Sequence, residues 1–283
     1  MHRRRAVPPW TLVIASVLSV QFGGGVARLL FEDLGAPGTL LLRLGFSGLI
    51  LAAILRPRAG RWSSAAWGAV LALGVALSAM NLSFYLALRD VPQGVAVTVE
   101  FTGPLLLALA QTRRWVDAGW AAAAMAGVLL LGLDRDADVR LTGLGFAFLA
   151  GLFWALYILA SARVGRELTG LQGLSVALLI AMVLILPLGA SAMPTAFGSP
   201  RLLLGGLAVA MLSSLICYGL ELVALRRMTT RVFGILMSLG PAAAALSGWL
   251  VLDQRLGARQ LLALLLVTVA SIGVTATASR ARR

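Results

Sequence analysis

Long runs without one charged side chain set the rhythm of this sequence. Ala6–Ala27, Ser63–Leu88, Ala118–Leu133, Leu141–Ala162, Leu168–Pro200, Val232–Leu252 and Gln260–Ser279 contain no Asp, Glu, Lys or Arg. A hydrocarbon layer about 30 Å thick is crossed by about 20 apolar residues in a helix. The pattern predicts ten helical spans, near residues 10–31, 37–55, 64–88, 92–112, 115–133, 141–162, 169–190, 201–225, 231–252 and 256–278. The connections between them are short and leave no room for a soluble domain. The expected fold class is an all-α integral membrane protein.

Composition agrees: 60% of residues are hydrophobic and 12% charged, against roughly 25% charged in soluble domains. Arg3, Arg4 and Arg5 before an apolar run resemble a signal peptide, but the run is too long for one and further spans follow. The net charge of +13 comes from arginine alone, with no lysine among the 24 cations. Sixteen of them, including Arg56, Arg58, Arg61, Arg113, Arg114, Arg163, Arg166, Arg226, Arg227 and Arg231, fall on the side of the N-terminus. Glu32, Asp33, Asp90, Asp134, Asp136, Asp138 and Asp253 fall on the other. Cationic residues collect on the cytoplasmic side of short loops. Both termini are therefore expected in the cytoplasm of a bacterial inner-membrane protein, with Asp134–Arg140 outside. The charge marks orientation in a lipid bilayer and is not a nucleic-acid surface.

Other chemistry is scarce. Cys217 and His2 are the single cysteine and histidine, too few for a disulfide or a metal cluster. The absence of lysine excludes a retinal-type Schiff base. No nucleotide motif or nucleophile–base pairing is present, so neither a cofactor nor an enzymatic reaction is expected.

A shift of 137 residues overlays Phe84–Leu109 on Glu221–Leu246, with Gly103-Pro104 over Gly240-Pro241 and Arg89 over Arg226. The shift relates spans five apart, and an odd number inverts the second copy. Residues 1–137 and 138–283 are therefore expected to form two inverted five-helix repeats, a plan common among secondary transporters.

The runs Met80–Leu88, Val91–Val97 and Val99–Pro104 carry a family likeness, as do Trp154–Leu159, Leu220-Glu221 and Phe233–Ser238. Together they resemble the threonine/homoserine exporters of the drug/metabolite transporter superfamily, built from two EamA-type repeats. Exporters of aromatic amino acids in that superfamily are a competing likeness. Gly240-Pro241 stands where such exporters often have Glu-Pro, and Leu252-Asp253 where they have Gly-Glu. The first departure removes a buried carboxylate, which weakens any proton-coupling scheme borrowed from relatives that use it.

Candidate site residues are the polar and aromatic groups inside spans. Glu100 lies about 12 Å into span 4 by helical rise, on a stripe with Gln93, Val97 and Pro104, and acids at such depth usually mark pathways. It is a candidate contact for a substrate ammonium or a coupling proton. Glu221 shares a stripe with Ser214 and Tyr218; it either enters the cavity or pairs with Arg226, Arg227 or Arg231. Gln21, Asn81, Tyr85, Trp154, Tyr157 and Ser238 complete the set, although amides and hydroxyls also serve as glue between helices. Arg28 is expected to pair with Glu32 one turn later. Arg43 is expected to snorkel to the outer interface, with contact to a substrate carboxylate as second choice. Gly23, Gly24 and Gly25 permit close helix approach, and Pro104 and Pro241 should kink their spans.

The residue readings point to a carrier working by alternating access, with protons as a candidate coupling ion, and the resemblance implies that it exports neutral amino acids, threonine- or homoserine-like. The alternatives are an exporter of another small metabolite or a drug-like cation and, behind these, a membrane-embedded enzyme.

Overall fold

The computed structural model describes residues 8–110, 115–132, 139–228 and 230–278. The Arg3–Arg5 triplet, Arg113, Arg114 and the three aspartates of the Asp134–Arg140 loop lie outside the described residues. Among those described, all regular structure is helical: α1 (Pro9–Leu29), α2 (Phe31–Leu55), α3 (Ser64–Asp90), α4 (Gln93–Glu100), α5 (Thr102–Ala110), α6 (Trp115–Gly132) and α7 (Leu141–Glu167) come first. Then follow α8 (Gln172–Gly189), α9 (Met193–Phe197), α10 (Pro200–Ala210), a π-helical segment Met211–Ile216, α11 (Cys217–Leu225), α12 (Thr230–Met237), α13 (Gly240–Leu252) and α14 (Ala258–Ala278).

Among the described residues, seven helical stretches are long and apolar enough to cross a membrane: Pro9–Leu29, Phe31–Leu55, Ser64–Asp90, Leu141–Glu167, Gln172–Phe197, Pro200–Glu221 and Val232–Leu252. The described parts of the predicted stretches 92–112, 115–133 and 256–278 are also helical, as α4 with α5, α6, and α14. Ala122–Leu131 and Ala258–Gly273 are the shorter apolar cores of α6 and α14. Val183, Leu184, Leu186 and Leu188 of α8, with Leu261, Leu262, Leu265 and Val269 of α14, present exposed apolar surface. Lipid accommodates such a surface; water does not.

Two breaks have one cause. A proline has no N–H to give the carbonyl four residues earlier, and its ring crowds that carbonyl. Pro104 and Pro241 thus strand the carbonyls of Glu100 and Met237, and at those residues α4 and α12 end. The turn after Glu100 is held by a backbone crossing. A Cβ on Gly103 would collide with the Gly151 carbonyl of α7, and one on Gly151 would sit 2.5 Å from the Glu100 oxygen. A third break opens α2, where Gly35 adopts a φ of 65° ahead of Pro37, a conformation that costs glycine little.

Helix α1 lies at the centre, against α10, α11, α13 and the π segment. Its three glycines make that crowding possible. Cβ atoms there would strike the Ser213 side chain from Gly23, Gln93 Nε2 at 3.1 Å from Gly24, and Ser247 Oγ at 2.8 Å from Gly25. Around it, α3 packs on α7 and α8, α2 on α8, and α6 on α14.

One expected contact is replaced. Arg28 does not pair with Glu32: its Nε donates to the Leu88 carbonyl at 2.9 Å, and its guanidinium lies 5.5 Å from the Phe31 ring centre. The main-chain acceptor is offered where α3 ends beside α1, which sequence spacing along α1 could not show. Among the described residues the salt bridge is Arg201–Asp33, at 2.8 Å and largely exposed.

Candidate functional site

A cavity of about 160 Å³ lies among α1, α2, α3, α4, α7, α11 and the two proline breaks. That is several times the roughly 30 Å³ a water molecule occupies in the liquid. Eight of the nine candidate residues line it: Gln21, Asn81, Tyr85, Glu100, Trp154, Tyr157, Tyr218 and Glu221. Ser238 stands apart from the lining. It is buried in the turn between α12 and α13, where its Oγ donates to the Gly234 carbonyl (3.0 Å) and shares a 2.8 Å bond with Ser271 Oγ.

Each wall follows from its helix. Asn81 and Tyr85 are one turn apart on α3 and point inward, while Ser78 turns back to the Val75 carbonyl (2.9 Å). Trp154 and Tyr157 come from α7, three and six residues beyond the Gly151 crossing; the Phe101 ring meets Trp154 edge-on at 4.9 Å. The stripe through Gln93, Val97, Glu100 and Pro104 holds only in part. Val97 and Glu100 reach the cavity, but the break at Phe101 takes Pro104 out of phase. Gln93 instead binds α1: its Nε2 donates to the Gln21 carbonyl (2.7 Å) and to Gln21 Oε1 (3.3 Å). Ser247 Oγ donates to the same carbonyl (2.9 Å), and the backbone N–H of Gln93 donates to Gln254 Oε1 (2.9 Å). These side chains tie α1, α4 and α13 together beside the cavity.

Glu221 belongs to the cavity. Ser16 Oγ donates to its Oε1 at 2.8 Å and Cys217 Sγ lies 3.7 Å from the same oxygen; no ion pair to an arginine forms among the described residues. Glu100 faces the cavity without a hydrogen-bonding partner among the described residues, under the attraction of Arg43.

Arg43 overturns its expected position. It does not snorkel to an interface but lines the cavity, 7% exposed. Its Nη1 donates to Asn81 Oδ1 (2.9 Å) and Tyr85 OH (3.4 Å), its Nε to Ser214 Oγ (3.4 Å), and its Nη2 to the Ser213 carbonyl (3.1 Å). The last acceptor lies in the π-helical segment Met211–Ile216, a backbone form frequent at functional sites. The kink at Gly35 leaves the continuous part of α2 close to its predicted start, so it is the acceptors packed around the guanidinium, and not the helix boundary, that hold Arg43 inside. An arginine at such depth costs about 2.5–3.5 kcal/mol on insertion scales and calls for partners. That rule was the signal available in the sequence. Phe101, Ser213, Met237 and Gly240 also line the cavity, and no polar pattern singled them out. Gly240 leaves room that the Phe101 ring fills, 2.7 Å from where its Cβ would stand.

Residues 141–276 match the family model of the EamA-like transporter family. The chain is 42% identical over 281 residues to the threonine/homoserine exporter RhtA of Salmonella typhimurium, covering 98% of this chain and 95% of that one. The threonine/homoserine exporter RhtA of Escherichia coli K12 is 42% identical over 278 residues, 96% of this chain and 94% of that one. A protein of known crystal structure, 18% identical, superposes with a TM-score of 0.59 over 96% of this chain and 99% of its own, which shows a shared fold.

Proposed function

We propose, from the premise that this chain belongs to the EamA-like transporter family, that it exports small neutral amino acids such as threonine and homoserine across a bacterial inner membrane. The observation that carries this reading is the 42% identity, over nearly the whole of both chains, to proteins named threonine/homoserine exporters. The chain is a transporter, not an enzyme. The cavity suits such a cargo: amide, hydroxyl and carboxyl groups position a polar backbone, while Phe84, Phe101, Trp154 and Tyr157 offer adaptable apolar walls. Pockets of that kind separate side chains weakly, by about 1–3 kcal/mol per methylene, so several neutral amino acids share the path.

The transport cycle is alternating access by ten spans in two inverted repeats, residues 1–137 and 138–283. The matched breaks before Gly103-Pro104 and Gly240-Pro241 support that symmetry, since both flank the cavity. Interrupted helices at a central site are what carriers of this plan use to bind cargo and to move. In the orientation set by the arginine asymmetry, with both termini cytoplasmic, the ties among Gln21, Gln93, Ser247 and Gln254 lie on the outer side of the cavity and close it there. Protons are the candidate coupling ion through Glu100; with Gly240 in place of a carboxylate, downhill export is the simpler scheme.

Purified protein in proteoliposomes should exchange labelled threonine and be inhibited by other neutral amino acids. Transport of a nucleotide sugar or a hydrophobic cation, with no amino acid moved, would leave only the carrier fold standing. For orientation, an Arg140→Cys probe should be labelled from outside the cell; the buried Cys217 keeps the background low.

A further inference from the structure

Arg43 presents five N–H donors on a plane that is charged at every relevant pH. Four of them are engaged, by Asn81, Tyr85, Ser214 and the Ser213 carbonyl. All four acceptors are neutral. They fix the guanidinium in place without cancelling its charge, and one Nη2 hydrogen is left over. The acids that share the cavity do not complete the pair: among the described residues neither Glu100 nor Glu221 comes within salt-bridge distance of it. Glu221 is held at Ser16 instead, and Glu100 is left unbonded on the α4 wall. The cavity thus holds a preorganised cation and a separate free acid, with space for a small molecule between the helices that carry them.

Resting on the export reading above, we propose that Arg43 is the carboxylate clamp of the transport site. It receives the α-carboxylate of the cargo, and Glu100 receives the α-ammonium. The remaining Nη2 hydrogen of a charged guanidinium and a carboxylate oxygen form a charge-assisted hydrogen bond. A buried donor set built for one group rejects analogues lacking it far more strongly than an apolar wall rejects a changed side chain. The cavity would therefore select the zwitterionic backbone and remain tolerant of what it carries. Asn81, Tyr85 and Ser214 are positioning residues that aim the guanidinium.

The test is counterflow of labelled threonine in proteoliposomes of the full chain, with unlabelled threonine, threoninol (carboxylate replaced by hydroxymethyl) and 3-hydroxybutyrate (no ammonium) as competitors. Against the wild type, threoninol should compete at least about 100-fold more weakly than threonine. Arg43→Gln should weaken threonine at least about tenfold and leave threoninol unchanged, so that the ratio collapses; Arg43→Lys should restore part of it. A purely structural arginine would lower both competitors together, and that result overturns the clamp. If Arg43→Gln fails to fold, the wild-type ratio decides: threoninol competing as well as threonine overturns the clamp while the export reading survives. A wild type that moves no amino acid overturns the export reading, and the clamp with it.

Discussion

At Glu100–Pro104 the chain leaves α4, turns through Phe101 and enters α5 with Gly103 against the backbone of Gly151. At Met237–Pro241 it leaves α12, turns through Ser238 and Leu239, and enters α13 with Gly240 facing the Phe101 ring. A proline causes each turn, and each turn flanks the cavity. What they place there differs. The first delivers a carboxyl group and an aromatic ring; the second delivers a methionine and a gap that the first one's ring occupies. The shared Gly-Pro sets where the backbone breaks, and the residues just before it set the chemistry. The same glycine also has two uses: one admits a main chain, the other a side chain.

Substitutions can pull these uses apart. The largest effect is expected at Gly103→Val, whose side chain would enter the Gly151 carbonyl. A backbone crossing has no rotamer to yield, so the loss should be at least about 3 kcal/mol, toward the upper end for overpacking. Thermal unfolding in detergent and membrane yield would show it; a near-normal Tm would dissolve the distinction between the two glycines.

Next comes Glu100→Gln, which keeps size and polarity and removes the charge. Export of threonine should fall at least about tenfold, some 1.4 kcal/mol of barrier, at near-normal expression. Full flux with unchanged pH dependence would make the two breaks functionally equal and return Glu100 to a structural role. Ser238→Ala, outside the lining, should cost about 1 kcal/mol of stability through its lost bond to Ser271 while the threonine half-saturation stays put. A weakened half-saturation at unchanged stability would bring Ser238 back into the site. The smallest effect belongs to Gly240→Ala. Its methyl meets only a ring edge that can swing aside, so the cost should stay within about 1 kcal/mol. A loss matching that of Gly103→Val would mean Phe101 is as immobile as a backbone.

Much of this was legible in one dimension. The charge-free runs located the helices, because hydrocarbon must be crossed by a length of apolar chain and backbone groups there must bond within the helix. The two Gly-Pro pairs marked the breaks, because a missing N–H acts on the chain that contains it. The intramembrane polar groups named eight residues that the structure gathers around one cavity. What sequence spacing could not decide were contacts between helices distant in the chain. Arg43 finds Asn81, Tyr85, Ser213 and Ser214 only after α2, α3 and the π segment are packed. Arg28 finds a carbonyl of α3 in place of the acid one turn away. Glu221 takes Ser16 in place of Arg226 or Arg227. A local rule sees partners along one helix, whereas a buried charge takes its lowest free energy from whichever donors and acceptors packing brings within reach.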